Sequence, residues 1–184
     1  MELVINTDRI YTYEDYVKLQ EKDDKNNYEV VGGKLILVPK PKPYHQEIVG
    51  RLITEINVFL RQNNLGKIYS DVDVVLGNQV VSPDLIFIAK ERFSIITDTN
   101  IQGSPDLVVE VLSPSTQKYD RKEKSQLYYA SKVKEYWLID PALQLVEVFF
   151  AGEMEWNRAG VYDELDVLTS PLLTGLQLEL KNIF

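Results

Sequence analysis

The run Pro105-Asp106-Leu107-Val108-Val109-Glu110-Val111-Leu112-Ser113-Pro114-Ser115 sets a carboxylate in the middle of an apolar strand, Leu107 to Leu112. A strand built only for a core gains nothing from an acid at that place, so Glu110 requires a partner. Two readings stand side by side: a structural ion pair, or one half of a carboxylate pair that holds a divalent cation. Hard cations take oxygen ligands, and such an ion suits phosphodiester hydrolysis because it polarises a phosphoryl oxygen and helps deprotonate a water.

Two Pro-Asp dipeptides offer the second acid. Asp106 and Glu110 share one face of one strand, but four residues at strand rise separate them by about 13 Å. Asp84 begins the preceding strand and sits beside Glu110 if the two strands pair. Asp84 is therefore the candidate partner, and Asp106 is read as a turn residue or as the start of the strand. A lysine beside such a pair would orient water or stabilise charge on a phosphate. The position two after Glu110 is Leu112, so the strand itself carries none. In the following helix Asp120, Lys124 and Tyr128 recur every four residues, which puts Lys124 on the sheet-facing side with Leu127. Lys122 lies about 160° away and is expected in solvent.

The elements that must position these groups are legible in order. Thr12-Tyr13-Glu14-Asp15 has the form of a capping box opening a helix to about Glu21, before the polar run Asp23 to Asn27. Tyr28 to Val38 reads as a hairpin about Gly32-Gly33, and Pro39, Pro41 and Pro43 keep the chain extended up to Tyr44-His45. From His45 to Asn63 apolar residues recur at three and four, the stripe of an amphipathic helix. Lys67 to Leu76 alternates as one strand, and Val80 to Ile88 returns as another with an irregular point at Pro83. A polar connection, 89 to 103, leads to the Glu110 strand. Then come a helix from Asp120 to Lys132, a buried strand Glu135 to Asp140, and a hairpin about Ala151-Gly152. The short apolar runs after Leu165 have no assigned type. The expected architecture is mixed α/β, one domain over 1–184, with a parallel crossover between the Glu110 and Trp137 strands.

Composition bounds the function. The chain has 184 residues, 45% hydrophobic and 26% charged, as in ordinary globular proteins. With no cysteine, any metal must rest on oxygen ligands or the single histidine, His45. The net charge of −8 argues against general nucleic-acid binding, although Lys34 to Lys42 and Lys118 to Lys124 are locally basic. No apolar run is long enough to span a membrane and the N-terminus lacks the pattern of a signal peptide, so a cytoplasmic location is expected.

The residues quoted, together with Tyr28-Glu29 before Gly32-Gly33, His45 opening a helix after prolines, and Glu135-Tyr-Trp-Leu-Ile-Asp140-Pro141, resemble the PD-(D/E)XK nuclease superfamily. Within it, the pattern is closest to the Uma-type (Uma-two) branch of restriction-endonuclease-like proteins, over about Thr12 to Trp156. The resemblance implies a restriction-endonuclease-like core, a Mg²⁺- or Mn²⁺-dependent endonuclease acting on DNA, Asp84 and Glu110 as metal ligands, and Lys124 as the catalytic lysine. That lysine would be displaced from the strand position held here by Leu112. Glu29 would match an additional acid near the site, though it precedes a turn and is read equally as an exposed residue. His45 is read as a local polar group or a phosphate contact, and Tyr28, Tyr128, Tyr136 and Trp137 as core. A homodimer is expected from the need to cut two strands and from the apolar strand 136 to 139. Two rivals remain: a catalytically silent module of the same fold that binds nucleic acid or a protein, and a metal-dependent hydrolase of a smaller substrate.

Overall fold

The computed structural model describes residues 4–6, 9–22 and 26–184, so part of the polar run after Glu21 lies outside the described residues. Its architecture is mixed α/β, with two mixed sheets flanked by helices. The first sheet has the order β1 (Val4–Asn6), β3 (Lys34–Val38), β2 (Asn27–Val31), β6 (Gln79–Val81), β5 (Val74–Leu76), β8 (Ile101–Gln102). The second has the order β12 (Trp156–Asp163), β11 (Leu145–Ala151), β10 (Glu135–Asp140), β9 (Leu107–Val111), β7 (Leu85–Ala89), β4 (Gly66–Ser70). Within it β9 and β10 run parallel, as the intervening helix requires, and the other pairs are antiparallel.

The second sheet buries both faces, and the period of two along its strands divides the core. Leu85, Phe87, Leu107, Val109, Trp137 and Ile139 point to one side, where α2 (Pro43–Asn63) packs Ile48, Leu52, Ile56 and Leu60 against them. Ile86, Ile88, Val108, Tyr136 and Leu138 point to the other, against Val31, Val74 and Val81 of the first sheet and Tyr128 of α4 (Ser125–Ala130). Beyond the first sheet, α1 (Tyr13–Gln20) buries Tyr16 against Tyr28 and Val30. The capping box at Thr12 forms as its sequence demands, with Asp15 closing back on the Thr12 N–H. Gly32 and Gly33 at φ 58° and 74° supply the left-handed turn of the β2–β3 hairpin.

Two expected strands are each divided between the sheets. Lys67 to Leu76 breaks at Asp71, whose φ is 52°, into β4 of one sheet and β5 of the other. Val80 to Ile88 breaks at Ser82-Pro83-Asp84 into β6 and β7. The two crossings lie together, because the Ser82 hydroxyl donates to Asp73 Oδ1 at 2.6 Å and the Tyr16 hydroxyl to Asp73 Oδ2 at 2.5 Å. The connection 89 to 103 contains a 3₁₀ helix, Lys90–Ile95, and β8. The tail forms a hairpin of β13 (Val167–Thr169) and β14 (Gln177–Glu179), and its Leu168, Leu176, Leu178 and Leu180 complete the α2 side of the core. It is fastened by Glu135, a wholly buried acid that accepts from Trp137 Nε1, the Ser170 hydroxyl and the Leu172 N–H. Residues 136 to 139 lie between β9 and β11 and are buried within the chain. Their apolarity is satisfied there, so it gives no reason to expect a subunit contact.

Candidate active site

The pairing of β7 with β9 runs Leu85 opposite Val109 and Ile86 opposite Val108; one further step sets Asp84 opposite Glu110. Directly opposed residues of antiparallel strands share a face, so both acids point to the same side of the sheet. Asp84 is fixed there at both oxygens. Oδ2 accepts the Val111 N–H at 2.7 Å, and Oδ1 meets His45 Nε2 at 2.8 Å from the first turn of α2. His45 is thus a partner of Asp84, reached because Pro43 starts the helix beside the strand crossing.

Lys124 arrives from the opposite layer. Gln117 to Ala130 is helical throughout, but Asp120–Lys124 is a π turn between α3 (Gln117–Tyr119) and α4. A π turn inside a helix often marks a site where side-chain placement prevails over helix regularity. It buries both Asp120 and Lys124 while Lys122 stays in solvent. Lys124 Nζ lies 2.9 Å from Glu110 Oε1, 2.9 Å from Glu29 Oε1 and 3.8 Å from Asp120 Oδ1. The Tyr128 hydroxyl donates to Glu110 Oε1 at 2.6 Å. Glu29 comes from β2 of the other sheet, where it alternates with Tyr28 and Val30 and so faces inward with Val31; its Oε1 also accepts the Ser82 N–H at 2.9 Å. The reading of Glu29 as an exposed residue is therefore overturned by its burial.

Asp84, Glu110, Lys124 and Glu29 are all brought to one cavity of about 750 Å³, together with His45, Asp120 and Tyr119. Side-chain exposure falls from 23% at Asp84 and 14% at His45 to 5% at Glu110 and Lys124 and 1% at Glu29. Asp106 is elsewhere, as its strand spacing from Glu110 requires. It is buried and accepts the Ala89 N–H at 2.9 Å while pairing with Arg92 and Lys134.

Electrostatically, three buried carboxylates surround one ammonium, a surplus of two negative charges when all are ionised. Burial raises Glu110 well above the ordinary carboxylate value, Lys124 pulling it back and Asp120, Asp84 and Glu29 adding to the rise. Burial likewise lifts Asp120 to about 6 against the pull of Lys124. For Lys124 burial acts downward, but Glu110 and Glu29 outweigh it and keep the ammonium charged. Among the described residues, two buried polar atoms lining the cavity have no protein partner, Glu29 Oε2 and the Tyr119 hydroxyl. Buried polar atoms are almost always satisfied, so these two mark places for a ligand, ion or water. The oxygen-only donors, the gathering of three carboxylates and the orphaned Glu29 oxygen suit a divalent cation. No three His, Asp or Glu side chains converge in a ready ligand set among the described residues. Lys124 stands between Glu29 and Glu110, and both Asp84 oxygens are engaged.

Sequence reasoning did not select Tyr119, and it gave Tyr128 a purely packing role. Tyr119 lay just before the helix expected from Asp120, so the helical repeat did not place it. Asp120 was visible as part of the i, i+4 series with Lys124 but was assigned no role.

The family model Uma2, described as "Putative restriction endonuclease", matches residues 13–181. An uncharacterized protein of Synechocystis sp. (strain PCC 6803) is 24% identical over 158 residues, covering 84% of this chain and 89% of that protein. A crystal structure from Anabaena variabilis, titled as a putative nuclease belonging to DUF820, superposes with a TM-score of 0.78 at 24% identity, over 94% of this chain and 97% of that one. At that identity the superposition speaks for the fold.

Proposed function

Because the chain belongs to the Uma2 family, whose description is putative restriction endonuclease, we propose that it is a divalent-metal-dependent nuclease that hydrolyses phosphodiester bonds, with DNA as its substrate. The observation that carries this reading is the cluster of three buried carboxylates around Lys124, beside Asp84 and lining the cavity. Asp84 and Glu110 would hold Mg²⁺ or Mn²⁺, with Glu29 as an auxiliary acid. When bound, the ion polarises a phosphoryl oxygen and lowers the pKa of an attacking water.

The protein's own groups have separable tasks in this proposal. Lys124 is held cationic by Glu110 and Glu29, so it acts by stabilising negative charge on the phosphate and not by accepting a proton. Tyr128 and Glu29 fix the carboxylate and ammonium so that neither must reorganise as charge develops. His45 orients Asp84. Tyr119 faces the Lys124 ammonium, its ring centroid 5.7 Å from Nζ, and presents its unpartnered hydroxyl to the cavity.

The test is cleavage of DNA and RNA oligonucleotides by the purified chain with Mn²⁺, alongside Glu110→Gln and Lys124→Met. Cleavage by the wild type that both substitutions abolish supports the proposal. A second reading, a silent module that keeps the fold and binds a partner, is favoured by the lysine standing between the acids and by the leucine at 112. Absence of both cleavage and Mn²⁺ binding in calorimetry would decide for it.

A further inference from the structure

The cavity's walls differ in chemistry from its floor. Glu110, Lys124 and Glu29 lie at the floor with side chains almost inaccessible to solvent, whereas the wall is formed by the proline-rich segment 39–42, the start of α2 and the turn after β10. Tyr44, 40% exposed, and Leu143, 64% exposed, stand on that wall as large apolar groups turned to solvent. The Tyr44 hydroxyl donates to the Phe184 carbonyl at 3.4 Å, which ties the ring to the segment after β14. Apart from Lys124, the cations on the wall are Lys40 and Lys42 among the described residues.

A duplex is held mainly through its phosphates, by clustered Lys and Arg on an accessible surface. This cavity offers two such lysines and sets its charged groups behind apolar walls. At about 750 Å³ it is of the size that encloses a small group, not a trough that follows a helix. For a phosphodiester to reach Glu110 and Lys124, its flanking nucleotides must enter as well, and in an intact helix pairing and stacking hold them out. Exposed aromatic and apolar side chains are the surfaces on which unstacked bases settle, with little dependence on sequence.

We infer that the site accepts unpaired nucleic acid, a single strand or a locally opened nucleotide, in preference to intact duplex, with Tyr44 and Leu143 as the surfaces that receive its bases. This rests on the proposed nuclease reading for the chemistry at the floor, but the preference is a property of the walls and is read separately.

The experiment uses the full chain and one mixed-sequence oligonucleotide in three forms: single strand, blunt duplex, and duplex with a central unpaired bulge. Binding is followed by fluorescence anisotropy without divalent ion, and cleavage with Mn²⁺. The single strand is expected to bind about tenfold tighter than the duplex, cleavage to fall in the single strand and at the bulge, and Tyr44→Ala to weaken single-strand binding about tenfold. Equal or faster cleavage of the blunt duplex overturns the inference and leaves the nuclease reading standing. Preferred single-strand binding without cleavage of any form upholds the inference while the nuclease reading fails. Neither binding nor cleavage overturns both.

Discussion

The tripeptide Ser-Pro-Asp occurs twice, at 82–84 and at 104–106, and the structure sets the two copies at opposite ends of one antiparallel pair of strands. They are near-equivalent in backbone terms. Asp84 falls opposite Glu110 and accepts the N–H of Val111; Asp106 falls opposite Ile88 and accepts the N–H of Ala89. The surroundings differ. Asp106 has an aliphatic neighbour across the pair, two cations in Arg92 and Lys134, and no exposure. Asp84 has an acid across the pair, one histidine, and a cavity in front of it. The motif is thus a device for ending a strand pair, and the proposed chemistry falls where the opposed residue adds a second carboxylate.

The comparison breaks most sharply on rate. Asp84→Ala is expected to lower cleavage by about 10²–10³-fold, whereas Asp106→Asn should leave the rate per folded molecule within a few-fold; single-turnover assays with Mn²⁺ read both. On stability the order reverses. Asp106→Ala strands Arg92 and Lys134 around a buried space and should cost about 3 kcal/mol in urea unfolding, against about 1 kcal/mol for Asp84→Ala. Saturating Mn²⁺ should stabilise the wild type by about 2–3 kcal/mol at a hundredfold excess over Kd, and this gain should vanish in Glu110→Gln while persisting in Asp106→Asn.

The smallest effect is in pH dependence, where the two ends have opposite signs. Burial alone would raise Asp106, but the hydrogen bonds from Lys134, the Ala89 N–H and Arg92 outweigh it and hold the carboxyl below its ordinary 3.8. Its contribution to stability is full above 3.8 and is lost as pH falls through the lower folded value. Asp120 is lifted by burial to about 6, so the folded state binds its proton more tightly than the unfolded state does. Stability from this group therefore declines as pH rises from 3.8 to about 6, and Asp120→Asn should gain on the order of 1 kcal/mol at pH 7. Unfolding curves for the two asparagine variants across pH 3 to 7 should diverge from the wild type in opposite directions. A parallel shift would mean that the cluster around Lys124 is no more strained by charge than the pair at Asp106.

Much of the site was legible because its residues are anomalies within regular patterns. Glu110 interrupts an apolar strand, Lys124 sits on the buried side of a helix, and Pro83 interrupts a strand beside Asp84. Glu29 was reachable only through the family resemblance, since an acid before a glycine turn has no local signature of burial. The strand break at Asp71 was hidden for a different reason, whereas the one at Ser82-Pro83-Asp84 was signalled by Pro83. Alternation runs on through Ile68, Val72, Val74 and Leu76, because the chain leaves one sheet and joins the other without changing period. Only long-range packing distinguishes one long strand from two short ones, and local propensity carries no trace of it.

Glu135 has a consequence for the order in which the molecule is completed during synthesis. It sits on β10, hydrogen-bonded directly to the strand that bears Glu110, and two of its three donors come from Ser170 and Leu172. Until those residues have left the ribosome, the central strand carries a buried acid short of partners, and the α2 side of the core lacks Leu168, Leu176, Leu178 and Leu180. The strand that presents Glu110 therefore settles only once Leu168 to Leu180 have been made, so a product ended before them would emerge without an assembled site.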